Sequence, residues 1–148
     1  MTEIRIRDLT EADRPDWDRL YRAYADFYGV DQTDAMRDRV WSWLMDPGHE
    51  VSGVLALRGD APVGLAHYRS FARPLAAQTG LYLDDLFVAP AARGGGAADA
   101  LLAHLREVAR GRGHSVVRWI TQDRNARARA VYDRVAAPIP FVTYDMPV

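Results

Sequence analysis

The sequence predicts an α/β (α+β) domain in which about four helices are set against a mixed, mostly antiparallel sheet. Three observations lead there. Residues 51–73 read as a hairpin, VSGVLALR and APVGLAHYRSFAR around Gly59-Asp60, followed by a short return into the apolar run Leu81 to Val88. Those three strands form an antiparallel meander. A glycine-rich turn and a helix then lead to a further strand at 114–121, and such a helical crossover makes the strands it joins parallel. Two amphipathic helices precede the meander. At 148 residues the chain is expected to be one domain, 1–148, with a real core.

In order, Glu3 to Arg7 alternates as a first strand with Ile4 and Ile6 on one face. Thr10 is an N-cap, with Asp13 in the capping-box position. The helix that follows places Trp17, Leu20, Tyr21, Tyr24, Phe27 and Tyr28 along one side and stops at Gly29. The stripe reads as core, with tyrosine tips able to line a pocket, Tyr24 and Tyr28 among them. A second helix, about Thr33 to Met45, sets Met36, Val40, Trp43 and Leu44 on its buried face and turns Trp41 elsewhere, toward a pocket, a dimer contact or the surface. The central helix runs through Leu101, Leu102, Leu105 and Val108 to Gly111 and Gly113. Asn125 opens a fourth helix to about Val135, with Asn125, Ala128 and Tyr132 on one face. Arg124, Arg127, Arg129 and Arg134 read as a solvated face. Beyond Pro138 and Pro140, Phe141 to Met146 reads as a last strand.

Composition narrows the chemistry. The 49% hydrophobic and 26% charged content is that of a soluble globular protein, and the net charge of −1 carries no nucleic-acid footprint. No apolar run approaches membrane-spanning length, so a cytoplasmic protein without a membrane partner is expected. With no cysteine there is no thiolate metal site and no cysteine acyl-intermediate. His49, His67, His104 and His114 lack metal-ligand spacing, so no metal is expected. No G-x-S-x-G elbow surrounds any serine.

The stretch that organises the rest is strand, loop, helix over 81–109. Glycines let backbone approach a ligand closely, and a helix N-terminus favours phosphate. Arg93 adds a fork that suits phosphate oxygens. The nucleotide-triphosphate loop fails because the chain has no lysine, and the dinucleotide fingerprint fails because Asp99 stands where its third glycine belongs. What fits is Arg-x-x-Gly-x-Ala, Arg93 to Ala98.

That pattern resembles the pyrophosphate-binding motif of the GCN5-related N-acetyltransferases (GNAT). The segment Asn125, Ala128, Val131, Tyr132 resembles the family's N-x-x-A-x-x-[L/V]-Y. Tyr82-Leu83-Asp84-Asp85-Leu86-Phe87-Val88 resembles Y-L-E-D-[FL]-[FY]-V of the branch holding the histone/protein and polyamine acetyltransferases. Asp84 departs from the branch's glutamate, and Gly95 and Ala97 replace bulkier residues. The resemblance covers the chain in element order. It implies a six- to seven-stranded sheet splayed at its central strands, acetyl-coenzyme A as co-substrate, and a homodimer.

It also implies site residues. Acetyl-coenzyme A would meet Leu86, Phe87, Val88, Arg93, Gly94, Gly95, Gly96, Ala97, Ala98, Asn125 and Tyr132. Tyr132 would be the general acid toward the leaving thiolate, and Asp84 the base through a water. Alternation sends Asp84 and Asp85 to opposite faces, so one meets the acceptor cleft. Asp85 binds a cationic acceptor or serves structure, and His67 lines the cleft or packs. The reading is direct acetyl transfer to a primary amine of a small molecule (polyamine-like, amino acid or amino sugar) or of a protein. A non-catalytic acyl-coenzyme A-binding module is the rival. Asp13, Asp16, Asp18, Asp26, Asp31, Asp34 and Asp38 hint at a cationic acceptor.

Overall fold

The computed structural model describes residues 3–148. Strand β1 (Ile4–Asp8) leads through a short 3-10 turn into α1 (Arg14–Phe27) and α2 (Asp34–Leu44). The meander follows as β2 (Val51–Arg58), β3 (Ala61–Arg73) and β4 (Gln78–Val88). Helix α3 (Ala97–Gly111), β5 (Val117–Arg118) and α4 (Ala126–Tyr132) complete the fold. Among the described residues the sheet has five strands in the order β1-β2-β3-β4-β5. Strands β1 to β4 are antiparallel, and β5 joins β4 in parallel.

Two apolar layers sandwich this sheet. On one face Val54, Ala56, Ala66, Tyr68, Leu81 and Leu83 pack beneath Leu101, Leu102, Leu105 and Ala109 of α3. On the other, Leu55, Leu57, Leu65 and Phe87 meet Trp17, Leu20 and Trp41. Leu101, Leu105, Leu55 and Leu65 have no exposed surface, and burying each such side chain contributes about 1.5–3 kcal/mol.

Several expectations are corrected. The sheet has five strands rather than six or seven. Residues 141–146 form no strand, and the fifth strand shrinks from 114–121 to two residues. Backbone pairing needs a second strand edge, and among the described residues no strand pairs with that segment. Helix α2 is rotated from its predicted face. Trp41 is buried, its ring 4.9 Å from Trp17, while Met36 is 45% exposed. The reason is Arg37, buried on the same side because its guanidinium bonds Asp18, Asp34 and the carbonyl of Gln32. A hydrophobic pattern scores that arginine as surface. The same pairing answers the acidic hint: Asp18 and Asp34 are held by Arg37, Asp38 by Arg14, and Asp13 by Arg7. The Arg7 pairing holds the Asp13 carboxyl down at about 2.

Candidate active site

Strands β4 and β5 pair where Leu81 and Tyr82 face Val117 and Arg118, with Ser115 and Val116 bonded to Thr79 and Leu81 just before, and then part. The sheet is splayed there, as predicted. The gap opens into a cavity of about 540 Å³ between the C-terminal half of β4, the start of α3 and the inner face of α4. Leu86, Phe87, Val88, Arg93, Gly94, Gly96, Ala97, Ala98, Asn125 and Tyr132 all line it, with Tyr28 from the end of α1.

Backbone supplies the donors. Ala89 N–H bonds the Val63 carbonyl at 2.8 Å, so alternation along an antiparallel pair turns the N–H groups of Leu86 and Val88 away from β3. They face the side that β5 has left. Phe87 turns its N–H toward β3, so it lines the cavity without offering that donor.

The glycines divide the loop's work. Gly94 and Gly96 have φ of 80° and 88°, the left-handed region that side chains resist, and a Cβ at either would meet only open space. Gly96 caps α3, so the helix's unpaired N–H groups open toward the cavity. Gly95 is different and is not among the residues that line the cavity. It backs onto Arg58, whose guanidinium a Cβ there would overlap and which also donates to the Ala92 carbonyl at 3.4 Å. Arg93 lies in the cavity wall with its guanidinium carbon 5.3 Å from the Phe27 ring.

Helix α4 forms the far wall. The Asn125 side-chain oxygen accepts from Ala128 N–H at 3.2 Å, fixing the helix start. Tyr132 packs edge-on against Trp119 at 5.3 Å, and burial raises its phenol above the ordinary value, with Tyr28 a smaller influence. It therefore keeps its proton at neutral pH. Arg134 and Arg127, read as solvated from sequence, also line the cavity. One guanidinium nitrogen of Arg134 donates to both carboxylate oxygens of Asp99 at 3.0 and 3.1 Å, joining α3 to the turn after α4. No local spacing signals Arg58, Arg134 or Asp99.

The two acids of β4 end up on one face. The β3–β4 register shifts between His67 and Tyr68, so His67 faces Asp85 while Tyr68 faces Leu83 and Asp84 is the extra residue of a bulge. Leu83 belongs to the α3 layer; Asp84 bonds Arg69, and Asp85 bonds Tyr21 of α1. The predicted opposite faces fail because a bulge inserts one residue into the two-residue alternation.

Asp85 sits at the centre of a network on the α1 side. Trp17 Nε1–H donates to His67 Nε2 at 2.9 Å, and His67 Nδ1 lies 2.8 Å from Asp85 Oδ2. An indole N–H only donates, so Nε2 accepts and Nδ1 donates to the carboxylate. Tyr21 O–H donates to the same oxygen at 3.0 Å. Burial works to raise the Asp85 carboxyl, but hydrogen bonds from His67, Tyr21 and Tyr24 outweigh it and hold it below the usual value. His67 is 1% exposed and both its nitrogens are occupied, so it packs and orients rather than lining the cleft. Tyr24 stacks on Phe87 at 5.7 Å and lies 4.9 Å from Tyr28, which connects the Asp85 network to the cavity. For Asp84, burial raises the carboxyl although the Arg69 bond at 3.1 Å opposes it.

Residues 17–136 match the model of the acetyltransferase (GNAT) family. The chain belongs to that family. It is 27% identical over 144 residues to the D-amino-acid N-acetyltransferase HPA3 of Saccharomyces cerevisiae, covering 95% of this chain and 89% of the yeast protein. Among solved structures, a probable acetyltransferase matches with a TM-score of 0.86 and 26% identity over 97% of both chains. The ribosomal-protein-alanine N-acetyltransferase of Brucella melitensis biovar Abortus 2308 shares the fold, with a TM-score of 0.81 and 20% identity over 99% of both.

This GNAT protein is an acetyl-coenzyme A-dependent N-acetyltransferase. The comparisons carry the family, not the histone/protein and polyamine branch within it. The residues present fit acetyl-coenzyme A: two left-handed glycines beside a helix start offer N–H groups to a pyrophosphate, and the unpaired β4 edge offers more to an extended amide chain. Among the described residues no group of acidic or histidine side chains is arranged to hold a metal, and no helix is long and apolar enough to cross a membrane.

Proposed function

We propose that the chain is a single N-acetyltransferase domain, 1–148, acting as a homodimer that acetylates a primary amine by direct attack in a ternary complex. The observation that carries the acceptor reading is Asp85. Its carboxylate is anionic and has no guanidinium partner among the described residues, with the tyrosine rings of α1 packed around it beside the cavity. A carboxylate edged by aromatic faces suits an ammonium group. The acceptor is a small cationic amine (amino acid, polyamine-like or amino sugar) or a protein amino group. Tyr24 and Tyr28 line its approach. The Tyr82–Val88 segment supports a place near the histone/protein and polyamine branch, and the yeast relative brings amino acids into the first trial.

Bound acetyl-coenzyme A supplies the thioester. The N–H groups of Leu86 and Val88 orient it and polarise its carbonyl. Arg93, Gly94, Gly96 and the start of α3 hold the pyrophosphate. Asp84 takes the ammonium proton through a water, and Tyr132 holds a proton for the departing sulfur. Asp85, aligned by His67 and Trp17, anchors the cationic group. The absence of cysteine agrees with direct transfer.

Thiol release, with products identified by mass spectrometry, tests this across L- and D-amino acids, polyamines, amino sugars and a lysine peptide. No release above background with any of them would overturn the acceptor reading. The base has its own signature. Because the Asp84 carboxyl is raised, the rate climbs with pH along a limb above the usual carboxylate range. Asp84→Asn removes that limb, and its deficit narrows at high pH, where free amine is abundant. An unaltered pH profile would return Asp84 to a structural role.

A further inference from the structure

One corner of the sheet lies outside both apolar layers. Leu81 and Leu83 pack beneath α3, so Tyr82 between them points to the side of α1. The register sets Arg69 of β3 and Arg118 of β5 on either side of it, and residues paired across strands share a face. Phe71, two residues beyond Arg69, lies on that face too, its ring 5.9 Å from Tyr82. The layer under α1 and α2 gathers Leu55, Leu57, Leu65 and Phe87 but none of these four, which stand half-buried beside the Asp84 bulge. Both arginines are held without spending their forks. Arg69 lies 4.8 Å from the Tyr82 ring centre and bonds Asp84 through Nε, which leaves its two terminal amino groups without a partner among the described residues. Arg118 lies 5.6 Å from the Phe71 ring centre, and among the described residues its guanidinium meets no carboxylate or carbonyl. A ring face steadies a guanidinium and uses none of its N–H groups.

We infer that Arg118, with Arg69 beside it, receives the carboxylate of an α-amino acid acceptor. Asp84 and Asp85 put negative charge at one end of this surface, and the two arginines put positive charge at the other. That polarity matches a zwitterion. In an α-amino acid the carboxylate hangs on the carbon that bears the amine, so its receptor has to stand next to the base. Arg69 does so, bonded to Asp84 at 3.1 Å, and Arg118 is the unpaired cation two strands along the same row. A planar fork meets a carboxylate through two parallel N–H bonds. The same surface discriminates against other amines. A linear diamine brings a second cation toward the arginines, and a protein amino terminus brings a neutral amide where the carboxylate would sit. Arg118 is thus a specificity-determining residue that takes no part in the proton transfers.

This inference rests on the reading of Asp84 and Asp85 as the acceptor side, and the test separates the two. Thiol release at saturating acetyl-coenzyme A compares alanine, leucine and phenylalanine, as D- and L-acids, each with its own carboxamide, and a linear diamine. The parent chain, Arg118→Gln and Arg118→Lys are measured, with thermal unfolding to show that each is folded. The parent is expected to prefer acid over amide by roughly 10- to 100-fold in kcat/KM, the scale of a lost charge-assisted contact. The amide's amine is the less basic, so the supply of free amine works against that result. Arg118→Gln should abolish the preference through KM, and Arg118→Lys should restore part of it, because lysine keeps the charge without the fork. A parent chain that acetylates amides or the diamine as well as acids would overturn the carboxylate site and leave acetyl transfer standing. So would a preference that survives in Arg118→Gln, or a loss there that falls equally on acid and amide. No product from any amine would instead overturn the acceptor reading beneath it.

Discussion

Tyr132→Phe is expected to lower turnover by about 10²–10⁴-fold, the usual range for a lost acid–base group, while leaving acetyl-coenzyme A affinity unchanged. The variant keeps the ring, its edge contact with Trp119 and its place in the cavity wall, and removes one oxygen. Burial has already raised that phenol, so acidity is not what it offers. It offers a proton held at a fixed point, which makes the effect one on kcat. Single-turnover kinetics beside calorimetry separate the outcomes. Normal turnover, shown to be limited by chemistry, would reduce Tyr132 to packing.

The second large effect is expected at Gly96. Gly96→Val should lower acetyl-coenzyme A affinity by at least about 10²-fold, roughly 2.8 kcal/mol, matching or exceeding most of the 1–3 kcal/mol range expected for Arg93→Ala. A Cβ at 96 meets no protein atom within 4 Å and, in the proposed binding mode, would compete with the phosphate, while its φ of 88° is one that a β-branched residue resists. Gly95→Val is the control. There the side chain collides with Arg58, so the loss appears first in thermal stability and is relieved by Arg58→Ala. Equal affinity in Gly96→Val and the parent chain would make the loop a plain turn.

What was legible in the sequence was local. Arg93, Gly94, Gly96, Ala97 and Ala98, and Asn125 with Tyr132, belong to short spacings whose geometry follows from a turn or a helix, and they line one cavity. What was not legible depended on distant partners. Arg37 reads as surface until Asp18 and Asp34 are seen to pair with it. His67 reads as lining the cleft or packing until Trp17, fifty positions earlier, is found on its ring nitrogen. Residues 141–146 read as a last strand from their alternation but form none, because alternation cannot say whether a matching edge lies beside them. Gly95 is a simpler case: three consecutive glycines look equivalent, and Arg58 behind the middle one distinguishes them.

The bulge at Asp84 has an electrical consequence. In an unbroken strand Asp85 would point into the leucines of α3, and the two carboxyls would titrate apart. With the extra residue they share a face, and the charge on Asp85 helps to keep the Asp84 carboxyl raised. Burial is the larger cause and Arg69 opposes it, with the Asp85 charge adding to the rise. Asp85→Asn should therefore displace the acidic limb of the pH–rate profile downward, because Asp84 loses a neighbouring negative charge, even though Asp85 takes no proton itself. Titration of that variant would thus record, in a shift along the pH axis, a charge whose own ionisation lies outside the working range of the enzyme.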